Sequence, residues 1–267
     1  MNTSLLFVLF MSMAAAEIPS LELHGQLMQG GVVRAQTIAG SKVYLDGRLL
    51  QISENGDFIF GLTADAPEQV RLAVHTPDGR RIEEKLKITR RDYEVQRIDG
   101  LDPNKVSPPP EVYERIAKEV QMISKIRGIS SPNLDAFDEF VWPVEGVITG
   151  VYGSRRILNG QPRSPHYGVD IACPEGSEIQ APAGGVVRMI EDMYFSGITM
   201  VVDHGYGLSS TFLHLSKARV ELNERVEKGQ IIAEVGATGR VTGPHLDWRI
   251  NWFERRLDPQ SIAQPAG

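Results

Sequence analysis

The sequence predicts an all-β protein of two domains joined by a linker helix. Three observations carry this: short apolar runs with period-two alternation on both sides of the chain's middle, turn dipeptides that punctuate them, and one helical periodicity between them. With 267 residues, 42% hydrophobic and 23% charged, the chain has ordinary globular composition and room for two domains. Its net charge of -6 argues against nucleic acid or an anionic membrane surface as a partner, since both attract basic patches.

Residues 1–16 hold an apolar run over 5–13 followed by Ala14-Ala15-Ala16, the small-residue pattern of a cleaved signal peptide. Export follows, and the acidic balance with no wall-anchoring repeat points to a periplasm. No later stretch is long and apolar enough to span a bilayer. The single cysteine, Cys173, cannot form an internal disulfide and reads as a small core residue.

Residues 17–105 read as a small immunoglobulin-like β-sandwich. Runs at 43–45, 49–52, 58–60, 70–74 and 82–88 are separated by Asp46-Gly47, Asn55-Gly56 and Asp78-Gly79, which favour tight hairpin turns. His24 and His75 stand alone there and carry no chemistry by themselves. A module of this kind beside an enzyme serves as spacer, targeting unit or cover. Residues 106–139 form the linker and a mobile connector. Ser107-Pro108-Pro109-Pro110 opens a helix over 111–127, with Val112, Ile116, Val120, Ile123 and Ile126 as one apolar stripe and Gly128 as the stop.

Residues 140–267 read as a second, antiparallel β domain, with strands expected at 146–152, 185–190, 198–204, 208–214, 231–235 and 245–252. Four of the six histidines, His166, His204, His214 and His245, fall within it. From His245 polar and apolar residues alternate strictly, so His245, Asp247, Arg249 and Asn251 share one face and Leu246, Trp248, Ile250 and Trp252 the other. His245 and Asp247 then project side by side, with Cα atoms roughly 6–7 Å apart, which suits one metal or one scissile bond; the alternative is an edge strand with a solvated polar face. His166 and Asp170 would be roughly 13 Å apart on a straight strand, so the chain must turn between them, and Gly168 permits it.

The ordered set His166-x3-Asp170, Asp203-His204-Gly205, His214-Leu215-Ser216 and Thr242-Gly243-Pro244-His245-x-Asp247 resembles the LytM and lysostaphin-like zinc metallopeptidases, which cut peptide cross-links in bacterial peptidoglycan. Framework turns around Pro174-x-Gly176, 181–187 and 226–232 agree with it. The resemblance covers about residues 142–258 and implies a lysostaphin-like, duplicated hybrid-motif β domain. It implies His166 and Asp170 as zinc ligands, His214 as the histidine that orients or deprotonates water, and His245 as a second catalytic histidine at the oxyanion. His204 matches a framework position. The family's third ligand is the second histidine of a His-x-His pair, and here Asp247 stands in that place. Phe212 and Ser210 occupy positions where the family often has Tyr and Thr.

A carboxylate is a legitimate zinc ligand, but two carboxylates cancel the ion's +2 and acidify bound water less than one would. Oxygen-rich donors also bring Mn²⁺ or Fe²⁺ into consideration beside one Zn²⁺ per chain. The implied partners are peptidoglycan peptide stems and a regulatory envelope protein. Two rival readings stand: a degenerate relative that binds peptidoglycan or activates a cell-wall amidase, and a biotinyl or lipoyl carrier, whose modifiable lysine at a hairpin tip has no match here.

Overall fold

The computed structural model describes residues 21–264, so the leader expected at 1–16 lies outside the described residues. Among the described residues no helix is long and apolar enough to cross a membrane.

The first part of the chain builds two antiparallel sheets. One orders Glu22–Gly25, Val32–Gln36 and Asp57–Gly61; the other orders Arg48–Leu49, Lys42–Leu45, Gln69–His75 and Arg81–Lys87. Strand Gln69–His75 shows the expected alternation, with Val70, Leu72 and Val74 buried and the residues between them turned outward. Asp46 and Gly47 both take positive φ (47° and 81°), the paired left-handed geometry that a two-residue hairpin of native twist requires.

The second part is dominated by one antiparallel sheet. Its main path runs Arg225–Val226, Gly185–Met193, Gly197–Gly205, Leu208–Ala218, His245–Trp252, Val169–Ala172, Val147–Gly150. The strand His245–Trp252 is therefore interior, paired with Leu208–Ala218 on one side and Val169–Ala172 on the other, and the edge-strand alternative falls. Its apolar face packs into the core through Leu246, Trp248, Ile250 and Trp252, and Trp142 meets Trp248 edge-on at 5.4 Å. Its polar face is also buried at Asp247 and Asn251, which a solvated face would not be.

Three features depart from the sequence reading. Val95–Ile98, a strand not foreseen within residues 17–105, pairs in parallel with Arg155–Leu158 in the second part of the chain. The helix begins with a 3₁₀ turn, Pro110–Val112, and continues as Tyr113–Arg127, and the expected stripe is broken at Val120. Met122, Ile123 and Ile126 pack on Met189, Met193 and Val201, while Val120 is 60% exposed. The inward place beside Val120 goes to Glu119, whose carboxylate accepts the Tyr194 amide (3.0 and 2.9 Å) and is held by Arg115 Nε at 2.7 Å. The stretch after the helix is anchored: Arg225 clamps Asp135 through two hydrogen bonds (2.8 and 2.7 Å), and Phe137 packs on Tyr206.

The largest apolar cluster runs from Val32 in the first sheet to Ala263 near the C-terminus. Gly61 makes that continuity possible. A Cβ there would lie 2.5 Å from Leu257 Cδ1, so the bare backbone is what lets the two parts close on each other.

Candidate metal centre

The register of the central strands puts Asp170 directly opposite Asp247. Two carboxylates in that relation repel, and both are buried, so the fold must supply compensation. It does so with two guanidiniums. Arg249, two residues after Asp247 and on the same face, donates from Nε to Oδ1 (2.9 Å) and from Nη2 to Oδ2 (2.6 Å). Arg156, on the strand Arg155–Leu158, donates from Nη2 to Asp170 Oδ2. Burial alone would raise both carboxyls; the Arg249 charge outweighs it at Asp247, and His166 with Arg156 outweighs it at Asp170, so both lie below the usual carboxylate range.

Glycines make the room. A Cβ on Gly150 would stand 2.3 Å from Asp170 Oδ2, and one on Gly168 would stand 2.5 Å from Asp247 Oδ1. Gly168 was expected to permit a turn, yet it is not among the positive-φ glycines. Its missing side chain is spent on space for Asp247.

His166 enters from the loop before Val169–Ala172 and brings Nε2 to 3.1 Å from Asp170 Oδ1. Donor atoms of His166, Asp170 and Asp247 all lie within 4.8 Å of one another. His166 is 2% exposed, yet neither ring nitrogen has a hydrogen-bond partner among the described residues, and Asp170 Oδ1 is equally unsatisfied. Buried polar atoms in native proteins are nearly always paired, and here His166 Nε2 and Asp170 Oδ1 meet only each other, so the convergence of one donor atom each from His166, Asp170 and Asp247 marks a place for a further group.

His214 and His245 stand beside this cluster, ring centroids 4.9 Å apart. His214 has φ 63° at an irregularity in the strand Leu208–Ala218, where the register against Gly197–Gly205 shifts. A left-handed β-bulge residue is a common device for re-aiming a side chain at a site. Its Nδ1 sits 2.8 Å from Thr238 O, and a carbonyl can only accept, so Nδ1 carries the proton and Nε2 the lone pair. Burial pushes His214 down to about 4, which keeps it neutral at ordinary pH. His245 Nδ1 likewise donates to Gly243 O (2.9 Å), and its Nε2 lies 3.9 Å from Asp170 Oδ1.

His204 is satisfied on both nitrogens, by Gly184 O (2.7 Å) and Ser210 Oγ (2.8 Å), and lies outside the cluster. Phe212 is fully buried opposite Trp248 and brings no hydroxyl. Cys173 is half-buried, with a weak 3.5 Å contact from Sγ to Ile171 O. Two hollows of about 520 and 290 Å³ flank the cluster and share Arg156, Leu158, His214 and Arg240. A larger one, of about 880 Å³, lies beyond Tyr167 and Arg256 and is lined by none of the five residues described above. Sequence reasoning missed Arg156, Arg240 and Arg127. Arg249 was placed on the right face by the alternation but given no role.

Residues 164–259 match the family described as Peptidase family M23. A solved structure from Pseudomonas aeruginosa assigned to peptidase M23 is 30% identical, covers 89% of this chain and 95% of its own, and superposes with a TM-score of 0.68. The chain belongs to peptidase family M23. Among curated M23 relatives, the peptidoglycan DD-endopeptidase ShyA of Vibrio cholerae is 40% identical over 87 residues, 33% of this chain and 20% of ShyA. The murein hydrolase activator EnvC of Escherichia coli is 32% identical over 148 residues, 55% of this chain and 33% of EnvC. The chain thus spans a fifth to a third of the length of these relatives. M23 membership fixes the fold of the centre, and the two relatives, one an endopeptidase and one an activator by name, show that it does not by itself fix catalysis.

Proposed function

We propose that this protein is an exported, metal-dependent endopeptidase that hydrolyses peptide cross-links of bacterial peptidoglycan in the periplasm. His166, Asp170 and Asp247 would hold one divalent ion, Zn²⁺ foremost, with Mn²⁺ or Fe²⁺ as alternatives favoured by the oxygen donors. The observation that carries this is the buried convergence of one donor atom each from His166, Asp170 and Asp247 within 4.8 Å, where His166 Nε2 and Asp170 Oδ1 have only each other. One imidazole nitrogen and two carboxylates at this separation are a legitimate donor set. The arginines do not spoil it, because carboxylate ligands are ordinarily held by outer hydrogen-bond partners, and Arg156 and Arg249 fill that role. They do lower affinity. Two carboxylates and two guanidiniums sum to zero, so the ion enters a site without the net negative charge a lone carboxylate pair would give it.

When bound, the ion would polarise the scissile carbonyl and acidify water. The chain's own residues do the rest. His214 Nε2 carries a free lone pair held toward the cleft and accepts the proton of the attacking water. His245 has committed Nδ1 to Gly243 O, so it would donate to a developing oxyanion from Nε2, and only when that nitrogen also carries a proton. The same proton can pass to the leaving amine. No covalent enzyme intermediate is required.

The test is purified protein on cross-linked peptidoglycan with and without chelator, beside His214→Ala and His245→Ala. Chelator-sensitive release of muropeptides that both variants lose supports the reading; unchanged peptidoglycan with added Zn²⁺, Mn²⁺ and Fe²⁺ in turn overturns it.

A second reading is supported by the arginines. Each buried carboxylate already has a counter-ion, so the fold can stand without metal, as a non-catalytic M23 protein that binds peptidoglycan or activates a hydrolase partner would. The likeness to the activator EnvC agrees with this. Metal content after purification separates the two readings, since the activator predicts none at any pH.

A further inference from the structure

The cleft on one side of the centre is cationic well beyond what its two carboxylates need. Arg127, Arg156, Arg163, Arg240, Arg249 and Arg256 all line it, in a chain whose net charge is -6. Arg156 and Arg249 are taken by Asp170 and Asp247. The other four have no carboxylate within ion-pair distance among the described residues. Arg163 donates to neutral acceptors, including Val106 O at 2.8 Å. Arg240 reaches Lys105 O at 3.3 Å and lies over the Phe195 ring. Arg256 lies over the Tyr167 ring, and the nearby acid Glu254 is exposed and bonded to Ser124 Oγ.

Arg127, the last residue of the helix, is the strongest case. It is 5% exposed, and its buried Nε has no hydrogen-bond partner among the described residues. A guanidinium buried without an anion is costly and is kept where something supplies the charge. Burial, with Arg256 and Arg249 adding repulsion, pushes it down to about 9; burial and Arg156 push Arg240 to about 10. Across the same cleft Ile123, Met193 and Phe195 give apolar surface, which suits a chain with carbon between its charges better than a small inorganic ion.

We propose that this cleft is a carboxylate-binding subsite, taking a peptide that carries at least two free carboxylates on one side of the bond presented to His214. Arg127 and Arg240 are its principal contacts, as planar forks suited to bidentate carboxylate binding. The inference deepens the endopeptidase reading by naming the substrate as acidic peptide, and it rests on that reading only for the identity of the bond.

The test uses the whole chain freed of metal by chelator, so that binding is read without turnover. A fluorescent tetrapeptide with two free carboxylates and its diamide are titrated by anisotropy, with a phosphopeptide of equal charge as a third ligand. The free acid is expected to bind at least tenfold tighter than the diamide. Arg240→Gln and Arg127→Gln should each erase roughly tenfold of that preference, the loss of one charged hydrogen-bonding group. Because Arg127 is buried, Arg240→Gln serves as the variant whose fold is least at risk. Equal affinity for acid and diamide, tighter binding of the phosphopeptide, or a preference untouched by Arg240→Gln overturns the proposal. Acid preference without peptidoglycan cleavage in metal-loaded protein leaves the subsite standing and removes the hydrolase; cleavage that ignores amidation does the reverse.

Discussion

Replacing Arg249 with Met removes the guanidinium while keeping most of the stem, and leaves Asp247, 1% exposed, facing Asp170 across the strands with no bidentate partner. Breaking a buried pair in this way costs about 3–5 kcal/mol, because one charge stays behind unpaired. For a chain of this size each kcal/mol is worth roughly 2–4 °C, so the melting point in chelator should fall by roughly 6–20 °C. Metal should then give much of it back. An ion at a hundred times its dissociation constant stabilises by about 2.7 kcal/mol, and without Arg249 the site gains a net negative charge, so the rescue should exceed the shift metal gives the wild type. Scanning calorimetry of both proteins in chelator and in excess Zn²⁺ measures all four values. A fall in chelator of less than about 2 °C, below what even 1 kcal/mol would give, would refute the pairing. A normal fall that Zn²⁺ leaves untouched would remove Asp247 from the set of ligands.

His214→Ala and His245→Ala should abolish muropeptide release while melting within a few degrees of wild type, checked by chromatography of digests beside calorimetry. Gly168→Ala should cost about 1–3 kcal/mol and weaken metal uptake, since its methyl would meet Asp247 Oδ1 and Trp248 O at 2.5 and 2.7 Å; denaturant titration and a metal-binding dye report the two effects. His214 is neutral in the fold down to about 4 but protonates near 6.5 when unfolded, so the stability tied to its neutral form is full above pH 6.5 and is lost as pH falls through about 4. That loss is about 3 kcal/mol at most, and His214→Gln should lack it when stability is followed from pH 7 to pH 4.

The candidate site was legible where chemistry and period coincide in one segment. The alternation from His245 to Trp252 gave both faces of the strand, and the spacing of His166 and Asp170 required a loop running into a strand, which is what Val169–Ala172 provides. What stayed hidden was set by pairing between distant segments. No local pattern shows that the strand His245–Trp252 is interior, that Arg156 faces Asp170 from another strand, or that Arg127 ends a helix above the cleft. The helix stripe departed at Val120 for a similar reason. A buried Glu119 that accepts a backbone amide from Tyr194 outweighs the apolar preference of Val120, and nothing within the helix announces that amide. Gly168 shows the limit of reading glycine as a hinge, since its use here is the space beside a side chain far along the sequence.

The parallel ladder between Val95–Ile98 and Arg155–Leu158 has a kinetic consequence. Arg156 is aligned with Gln96, and Gln96 Oε1 accepts from Arg156 Nε at 3.3 Å across 60 residues of chain. Closing so long a loop before any reward arrives is slow, and parallel pairings are among the last a chain secures. The strand that carries the guanidinium of Asp170 is thus completed by a segment from the early part of the polypeptide, so the centre is tied to the rest of the molecule through Gln96.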